Sequence, residues 1–285
     1  MTDQPAQPLD APPVCPRHPD QVSYVRCQRC QRPVCPACQR QAAVGVQCVD
    51  CVEEGRRTVR SGRTIFGGTL TDGRPVLTFG IIGLTALVYV LQMASAEVIY
   101  RLGFAPSVGA SEPWRFLTTA LVHGSIMHIL FNMYALYIIG QFLEPALGRA
   151  RFAALYVIGA LGGSVAVLLL AAPLGEWNRL TVGASGAVFA LFGALLVLQR
   201  RLGVSNNGLY ILLAINAAIS FIVPNISWQG HLGGFLTGLL AGLVFSKLTV
   251  TGGPGRPADF SRHWIGLGGL AAVLLLLAVG AYLVA

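Results

Sequence analysis

The chain has 285 residues, of which 54% are hydrophobic and only 11% charged, and its mean hydropathy is +0.63. A soluble globular domain carries roughly a quarter charged residues, so this composition excludes a wholly soluble protein. The formal net charge of +8 fits the positive excess on the inner side of membrane proteins better than it fits nucleic-acid binding. The sequence therefore predicts an all-α polytopic membrane protein with a small polar head, and no nucleic-acid partner is expected.

All seven cysteines lie in the head, predicted to span residues 1–54. Six of them form three C-x-x-C pairs, and the seventh, Cys15, stands at the same spacing from His18. Eight such ligands are enough for two tetrahedral Zn²⁺ sites with no thiol left over. The candidate ligands are Cys15, His18, Cys27, Cys30, Cys35, Cys38, Cys48 and Cys51. The alternative is a disulfide framework or ordinary reduced thiols, and the odd cysteine count argues against disulfides.

The run C-P-x-H…C-x-x-C-x-x-P-x-C-x-x-C resembles a B-box zinc finger over about forty residues. The resemblance implies interleaved pairing, with Cys15, His18, Cys35 and Cys38 on one ion and Cys27, Cys30, Cys48 and Cys51 on the other. B-boxes have histidines at the last pair, so sequential pairing stays open. Both sites would be structural, because neither keeps a position for water, and a cytoplasmic protein partner of the finger is an open expectation.

A basic linker is predicted over residues 55–75, and seven membrane spans follow. The apolar runs lie at 76–95, 126–144, 151–172, 185–199, 207–223, 230–247 and 264–285. The first six spans form a predicted core over 76–248. A loop at 249–263 leads to the seventh helix, whose role the sequence leaves open.

Arginine placement orients these spans. With the head in the cytoplasm, the inner segments hold twelve basic residues and the outer segments only three, namely Arg101, Arg115 and Arg179. The predicted protein lies in the cell membrane with its N-terminus cytoplasmic and its C-terminus outside. One lysine against nineteen arginines favours a bacterial, GC-rich source, and the first sixty residues contain no apolar core of the kind a signal peptide needs.

Three polar groups begin apolar spans at matched depth. Ser185 precedes Arg200 by fifteen residues, while His128 and His231 stand sixteen residues before Glu144 and Lys247. At 1.5 Å per residue each stands about 23 Å from the inner end, which is roughly 7 Å below the outer surface of a 30 Å core. Polar side chains at such depth are costly, so these three predict one shared functional site.

A serine becomes nucleophilic when a histidine takes its proton. Contact between Ser185 and His231 requires close helix approach, and both helices carry the small residues that permit it: Gly186, Gly193, Gly230, Gly234, Gly238 and Gly242. The alternative is that Gly-x-Ser-Gly is only a packing and capping motif. No acidic partner is apparent in the spans, so a Ser–His dyad is the simpler hypothesis.

His128 and Asn132 lie four residues apart, hence on one helical face. A donor pair on one face suits a developing oxyanion, and the Ser185 backbone N–H at a helix N-terminus would add a third donor. The alternative is an interfacial histidine with an interhelical asparagine. A zinc site from His123, His128 and His231 is disfavoured, because no acidic or thiol partner lies nearby.

Residues 75–248 resemble the rhomboid intramembrane serine proteases. The resemblance rests on H-G-S-I-M-H-I-L-F-N-M (123–133), G-A-S-G (183–186) and G-H-L-G-G (230–234), with Trp114-Arg115 before the second span. It implies a six-helix core, Ser185 as nucleophile, His231 as general base, and His128 and Asn132 at the oxyanion. Phe189 would stack on the base, where some relatives have a tyrosine.

The implied substrates are single-span membrane proteins, cut near the outer face of the bilayer at helix-weakening residues. The loop at 224–229 would cap the water-accessible cavity. Two rival hypotheses are a catalytically silent relative that binds membrane proteins and a transporter using the same polar cluster. The spans below Asn132 and Ser185 are nearly all apolar, which argues against a transport path.

Overall fold

A computed structural model describes residues 12–58, 63–68, 74–204, 207–223, 226–249 and 259–284. The chain divides into two compact units, residues 1–61 and 62–285. Parts of the predicted segments lie outside the described residues. They include Arg60 of the linker, Ser205 between the fourth and fifth spans, Pro224 and Asn225 of the loop at 224–229, and Arg256 of the loop at 249–263. Each unit is described by itself.

The described residues of the head form two short hairpins and one α-helix. Strands β1 (Val14–Cys15) and β2 (His18–Val22) pair antiparallel, as do β3 (Gln39–Gln41) and β4 (Val46–Cys48). A 3₁₀ turn at Pro36–Cys38 precedes β3. Cysteine side chains make up most of the buried interior of this unit, so little of its stability can come from an apolar core.

Helix α1 (Val49–Thr58) closes the head and continues past residue 54, so the predicted linker begins inside a helix. Residues 63–68 also belong to ordered structure. Phe66 is buried in the core of the second unit, and Thr64 donates from its hydroxyl to the Ala146 carbonyl at 2.5 Å. The described end of the linker segment therefore packs against the membrane body.

The membrane body contains seven long helices at the seven predicted spans, with ends that differ from the predicted ones by at most three residues. These helices are α2 (Val76–Ala94), α6 (Ile126–Leu147), α7 (Arg149–Leu174), α8 (Ser185–Arg201), α9 (Asn207–Ile222), α10 (Trp228–Lys247) and α11 (Ser261–Val284). Three short helices stand between α2 and α6, namely α3 (Glu97–Leu102), α4 (Pro106–Gly109) and α5 (Arg115–Thr118). The predicted all-α membrane architecture with a small Cys/His-rich head is confirmed.

Four of these helices, α2, α6, α7 and α11, are long and apolar enough to cross a membrane by length and composition. Helices α8 and α9 are shorter, with 17 and 16 residues, and α10 is less apolar because it carries glycines, Gln229 and His231. Two of these three shorter or less apolar helices, α8 and α10, carry the predicted residues Ser185 and His231. A multi-pass membrane protein follows from the set as a whole.

Small residues bring the backbones of α8 and α10 into contact. A Cβ added at Gly234 would lie 2.0 Å from the Gly186 carbonyl oxygen, and one at Gly238 would lie 2.0 Å from the Ala190 carbonyl oxygen. Helix α7 joins them, since a Cβ at Gly163 would lie 3.1 Å from the Gly186 Cα. Only glycine allows this approach. In lipid the hydrophobic effect does not drive helices together, so close packing through small residues is what stabilises their contact.

Glu144, near the C-terminal end of α6, is buried and caps helix α2. Its carboxylate accepts from the backbone N–H groups of Leu77 and Thr78 at 2.9 and 2.7 Å, and from the Thr78 hydroxyl at 2.8 Å. These contacts satisfy donors that the first turn of α2 leaves without intrahelical partners. They also place a negative charge at the positive end of the helix dipole.

Helix α11, whose role the sequence left open, is fixed at both ends. Tyr282 donates to the Pro106 carbonyl at 2.9 Å, while His263 lies 3.0 Å from the Thr249 hydroxyl at the other end. Between these contacts α11 packs on α7 and α10. It therefore braces the outside of the three-helix contact.

Candidate active site and metal centres

Ser185 is the first residue of α8, and hydrogen bonds fix the segment before it. Thr181 pairs with Phe104 through two backbone hydrogen bonds of 2.7 and 3.0 Å. The Thr119 hydroxyl donates to the Thr181 carbonyl at 2.7 Å, and Gly183 donates to the Thr119 carbonyl at 3.0 Å. The loop between α2 and α6 thus sets the entry of the chain into α8, and with it the position of the serine.

His128 lies against this entry. Gly183 has φ +123°, which favours glycine, and a Cβ there would lie 2.7 Å from His128 Nε2 and 3.7 Å from Ser185 Oγ. His123 packs edge-on against His128 with ring centroids 5.0 Å apart, and its Nε2 accepts from the Ala184 N–H at 3.3 Å. Ser185, His123 and His128 therefore all lie at the turn of backbone formed by residues 183–185.

His231 lies in the first turn of α10, where the Ser227 hydroxyl caps the helix by accepting from the Gly230 N–H at 3.2 Å. The Phe189 ring stacks on the His231 ring, with centroids 4.2 Å apart and planes 13° apart. Phe189 stands four residues after Ser185 on α8, so the stack puts His231 on the same helical face as the serine, within one turn. The stacking expected of Phe189 is present.

Within the described residues, no direct hydrogen bond joins the Ser185 hydroxyl to His231. In enzymes without substrate such contacts are often long, and they tighten when substrate binds. Asn132 is buried one turn after His128 on α6 and donates one amide N–H to the His128 carbonyl at 2.8 Å. An amide carries two N–H groups, so the second can serve a further acceptor.

The structure adds polar residues that the sequence analysis missed. The Gln92 amide pairs both ways with the His123 backbone, donating at 2.6 Å and accepting at 3.0 Å. The Ser220 hydroxyl lies 2.5 Å from His231 Nδ1, and Gln229 donates to Glu176 at 2.7 Å. Gln92 could have been found from the sequence, since a glutamine inside an apolar span calls for a partner. A serine such as Ser220 carries no such signal.

Both groups of ligand atoms that are close enough to share a metal ion, among the described residues, lie in the head. The first comprises Cys15, His18, Cys35 and Cys38, whose atoms all lie within 4.8 Å of one another. The sulfurs of Cys35 and Cys38 are each 3.3 Å from His18 Nδ1, and that of Cys15 is 3.9 Å away. Ligand atoms on a tetrahedral Zn²⁺ stand about 3.5 to 3.8 Å apart, so this geometry fits the ion.

The second group comprises Cys27, Cys30, Cys48 and Cys51. The Cys30 and Cys48 sulfurs are 3.7 Å apart, and backbone N–H groups donate to the Cys27 and Cys48 sulfurs at 3.2 and 3.3 Å. Arg32 donates to the Cys30 sulfur at 3.3 Å. Such outer contacts orient and stabilise thiolate ligands. The grouping is the interleaved one, and all seven cysteines are free thiols.

Local hydrogen bonds favour the thiolate form that metals bind. The backbone N–H of Cys35 lowers the pKa of the Cys15 thiol to about 6. Burial raises the pKa of Cys30, but hydrogen bonds from the side chain and backbone of Arg32 and from Cys51 together lower it below its ordinary value. Burial raises the pKa of Cys38 in the first tetrad to about 11 and also raises the pKa of Cys51 in the second, so each tetrad combines thiols with lowered and raised pKa values.

Taken together, the helices define a multi-pass membrane protein in which Ser185 and His231 lie on two closely packed helices, with Phe189, one turn after the serine, stacked on the histidine. A family model for the rhomboid domain matches residues 110–248. The protein YdcA of Bacillus subtilis, provisionally named a rhomboid protease, is 35% identical over 176 residues, which are 58% of this chain and 86% of YdcA. The chain belongs to the rhomboid family.

Two further relatives are longer than the matched region. RHOMBOID-like protein 5 of Arabidopsis thaliana is 37% identical over 144 residues, covering 48% of this chain and 45% of the plant protein. Rhomboid protease GluP of Bacillus subtilis is 30% identical over 182 residues, covering 60% and 35%. This chain therefore spans less than half the length of either relative. Because the relatives include plant and bacterial proteins, the predicted bacterial source stays a prediction.

Proposed function

We propose that this chain is a serine endopeptidase that cleaves membrane proteins within the bilayer, with Ser185 as nucleophile and His231 as general base. The observation that carries the proposal is the stack of His231 on Phe189, one turn from Ser185, across a helix contact that only glycine permits. Relatives named as rhomboid proteases support the reaction class. A packing role alone gives no reason for a histidine at this depth.

The reaction follows the chemistry of acyl transfer. His231 takes the proton of the Ser185 hydroxyl as Oγ bonds to the scissile carbonyl carbon. When the carbon–nitrogen bond breaks, His231 returns that proton to the leaving amine, and an acyl ester remains on Ser185. Water then attacks the ester carbonyl carbon and loses a proton to His231, which passes that proton to Ser185 Oγ as the acyl–oxygen bond breaks and the carboxyl product leaves.

The tetrahedral intermediates carry an oxyanion, and three groups near Ser185 are suited to it. They are the ring of His128 beside Gly183, the free amide N–H of Asn132, and the backbone N–H of Ser185 at the start of α8. Donors fixed in advance cost no reorganisation when the charge develops. The loop between α2 and α6 is hydrogen-bonded to the segment before Ser185, which holds these donors at fixed positions around the serine.

The substrates of this proposal are single-span proteins, cut near the outer face of the bilayer. The test is to incubate the purified protein in proteoliposomes with a panel of single-span substrates and to compare it with Ser185→Ala. We expect cleavage at helix-weakening residues by the wild type and none by the variant. Equal cleavage by both proteins contradicts the assignment. Absence of cleavage in both favours a silent binding protein.

The orientation is part of the same proposal, with the N-terminus in the cytoplasm and the C-terminus outside. In a variant whose native cysteines are replaced, single cysteines at Ser107 and Ser205 should differ in their access to an impermeant thiol reagent. In intact cells we expect labelling at residue 107 only. Labelling at residue 205 instead would put the active site near the cytoplasmic face.

For the head we propose two structural Zn²⁺ ions, one in each tetrad. The distances between ligand atoms, the lowered pKa of the Cys15 thiol and the hydrogen bonds to the cysteine sulfurs support zinc. With four protein ligands each, neither ion would keep a coordination position for water. The proposed role is therefore to fold the head, which leaves its surface free for a cytoplasmic partner.

A further inference from the structure

His231 has a second contact besides its stack on Phe189. The Ser220 hydroxyl lies 2.5 Å from His231 Nδ1, the ring nitrogen on the far side from the one that would face Ser185. Ser220 is buried, near the outer end of α9. In serine hydrolases with three catalytic groups, the histidine nitrogen at this position is held by a carboxylate. Here a hydroxyl occupies that position.

The direction of this hydrogen bond follows from a second contact of Ser220. Its hydroxyl also lies 2.7 Å from the Asn216 backbone carbonyl, an oxygen that can only accept. A serine has one hydroxyl proton, and donating it to the carbonyl leaves the oxygen lone pairs for His231. Both contacts are satisfied only when Nδ1 carries a proton and donates it to Ser220. This arrangement leaves Nε2 unprotonated, which is the form a general base needs.

We propose that Ser220 is the positioning residue of the catalytic histidine, which it holds as the Nδ1–H tautomer with Nε2 directed toward Ser185. This inference rests on the proposed function of Ser185 and His231. Phe189 fixes the plane of the ring by stacking, but a stack does not select a tautomer. The hydrogen bond to Ser220 supplies that selection without a buried carboxylate, whose charge would be costly inside the bilayer.

The placement of Ser220 on α9 supports a dedicated contact. Among the described residues of α9, only Leu209 and Ser220 are buried. A serine in the one buried position at the outer end, facing the catalytic histidine, is not required for packing, because alanine would fill it. The neighbouring stack of Phe221 on Trp228, with centroids 5.6 Å apart, holds the two helix ends together independently of the hydroxyl.

The test uses the full chain in proteoliposomes with one cleavable single-span substrate. We expect Ser220→Ala to lower kcat by roughly 10-fold to 100-fold, a part of the 10²–10⁴-fold that proton transfer typically supplies, with little change in KM. Ser220→Thr, which keeps a hydroxyl able to bond the same carbonyl, should retain most of the activity. Ser111→Ala is the matched control, since it removes an exposed serine that also donates to a nearby backbone carbonyl, that of Val108.

A second readout reports the tautomer itself. In protein with ¹⁵N-labelled histidine, assigned by comparison with His231→Gln, the His231 ring should show a protonated Nδ1. Ser220→Ala should shift it toward a mixture of tautomers, and Ser220→Thr should not. A purely structural role predicts the same loss of thermal stability for all Ser220 variants and an unchanged ring spectrum.

The outcomes separate this inference from the function beneath it. If Ser185→Ala cleaves the substrate, the proposed function fails whatever Ser220 does. If Ser185→Ala is inactive while Ser220→Ala keeps the wild-type kcat and ring spectrum, only the positioning role is wrong. Should Ser220→Ala fail to fold, Ser220→Cys, which preserves volume but accepts hydrogen bonds weakly, carries the same prediction.

Discussion

The head and the membrane body hold their polar side chains in place by different means. In the head, eight ligand side chains converge in a unit whose buried interior is mostly cysteine, so the tetrads and whatever they bind are the core. In the body, Ser185 and His231 are fixed because α8 and α10 touch backbone to backbone at Gly234 and Gly238. With Zn²⁺ in the tetrads as proposed, the head should depend on a bound cation and the body on the absence of side chains at these glycines, so different changes should break them.

The largest effect is expected from removing metal from the head. Structural Zn²⁺ binding to small domains is worth about 10–16 kcal/mol, far more than this interior can replace. Chelation, or Cys27→Ser, should therefore make the head sensitive to limited proteolysis while the helical body stays intact. Metal analysis should give two zinc ions per chain before treatment.

His18→Cys is the matched control for that experiment, because it keeps four ligands in the first tetrad. We expect it to retain two ions and the protease resistance of the wild type. One ion or none in the untreated protein would mean that the eight-ligand assignment is wrong. Unfolding of the body on chelation would remove the distinction between the two regions.

The second largest effect is expected at the helix contact. In Gly238→Ala the new Cβ would lie 2.0 Å from the Ala190 carbonyl oxygen, and backbone atoms cannot rotate away. Overpacking typically costs about 1–3 kcal/mol, occasionally more, and here it would also separate Ser185 from His231. Thermal unfolding in detergent should show a lower Tm, and cleavage should fall more steeply than stability.

Gly83→Ala serves as the control, because a Cβ at that helix position meets nothing within 4 Å. Its stability should stay within about 0.5 kcal/mol of the wild type. Similar effects of the two substitutions would show that the close approach of α8 and α10 is not what holds the site together.

A smaller effect is expected at the start of α2, where polar contacts do contribute. Glu144→Gln replaces the charged cap of α2 by a neutral amide that can reproduce only part of three hydrogen bonds. We expect a loss of about 1–2 kcal/mol, in the range of a lost helix cap, measured as a lower Tm in detergent. Glu97→Gln is the control, since its ion pair with Arg101 is exposed and should contribute little to stability. Equal losses would argue against a capping role.

The sequence predicted what depends on periodicity and spacing. The seven apolar runs became seven helices, and the cysteine pairs became two tetrads. What it could not predict depends on contacts between distant elements. The partner of Glu144 is the start of α2, and the partner of His231 is a serine eleven residues earlier on another helix. Neither pairing leaves a local pattern, because side-chain partners across helices are set by packing.

The sequence also did not predict where the ordered structure around the linker begins and ends. Helix α1 continues into the predicted linker, and Phe66 is buried in the body, since a basic composition does not reveal which apolar residue finds a core. At the active site, motif order identified Ser185, His231, His128 and Asn132 as candidates. The supporting contacts from Gln92 and Ser220 became visible only in three dimensions.

The most direct measurement is the reaction of Ser185 with a fluorophosphonate probe, followed by mass spectrometry of the labelled residue. An unassisted serine hydroxyl is a poor nucleophile at neutral pH. We therefore expect labelling at Ser185 in the wild type, none in Ser185→Ala, and almost none in His231→Ala. Asn132→Ala should label and cleave more slowly than the wild type yet measurably, as one oxyanion donor is worth about 10²–10³-fold at most. Labelling of His231→Ala at the wild-type rate would show that the serine does not depend on this histidine, and the dyad would be wrong.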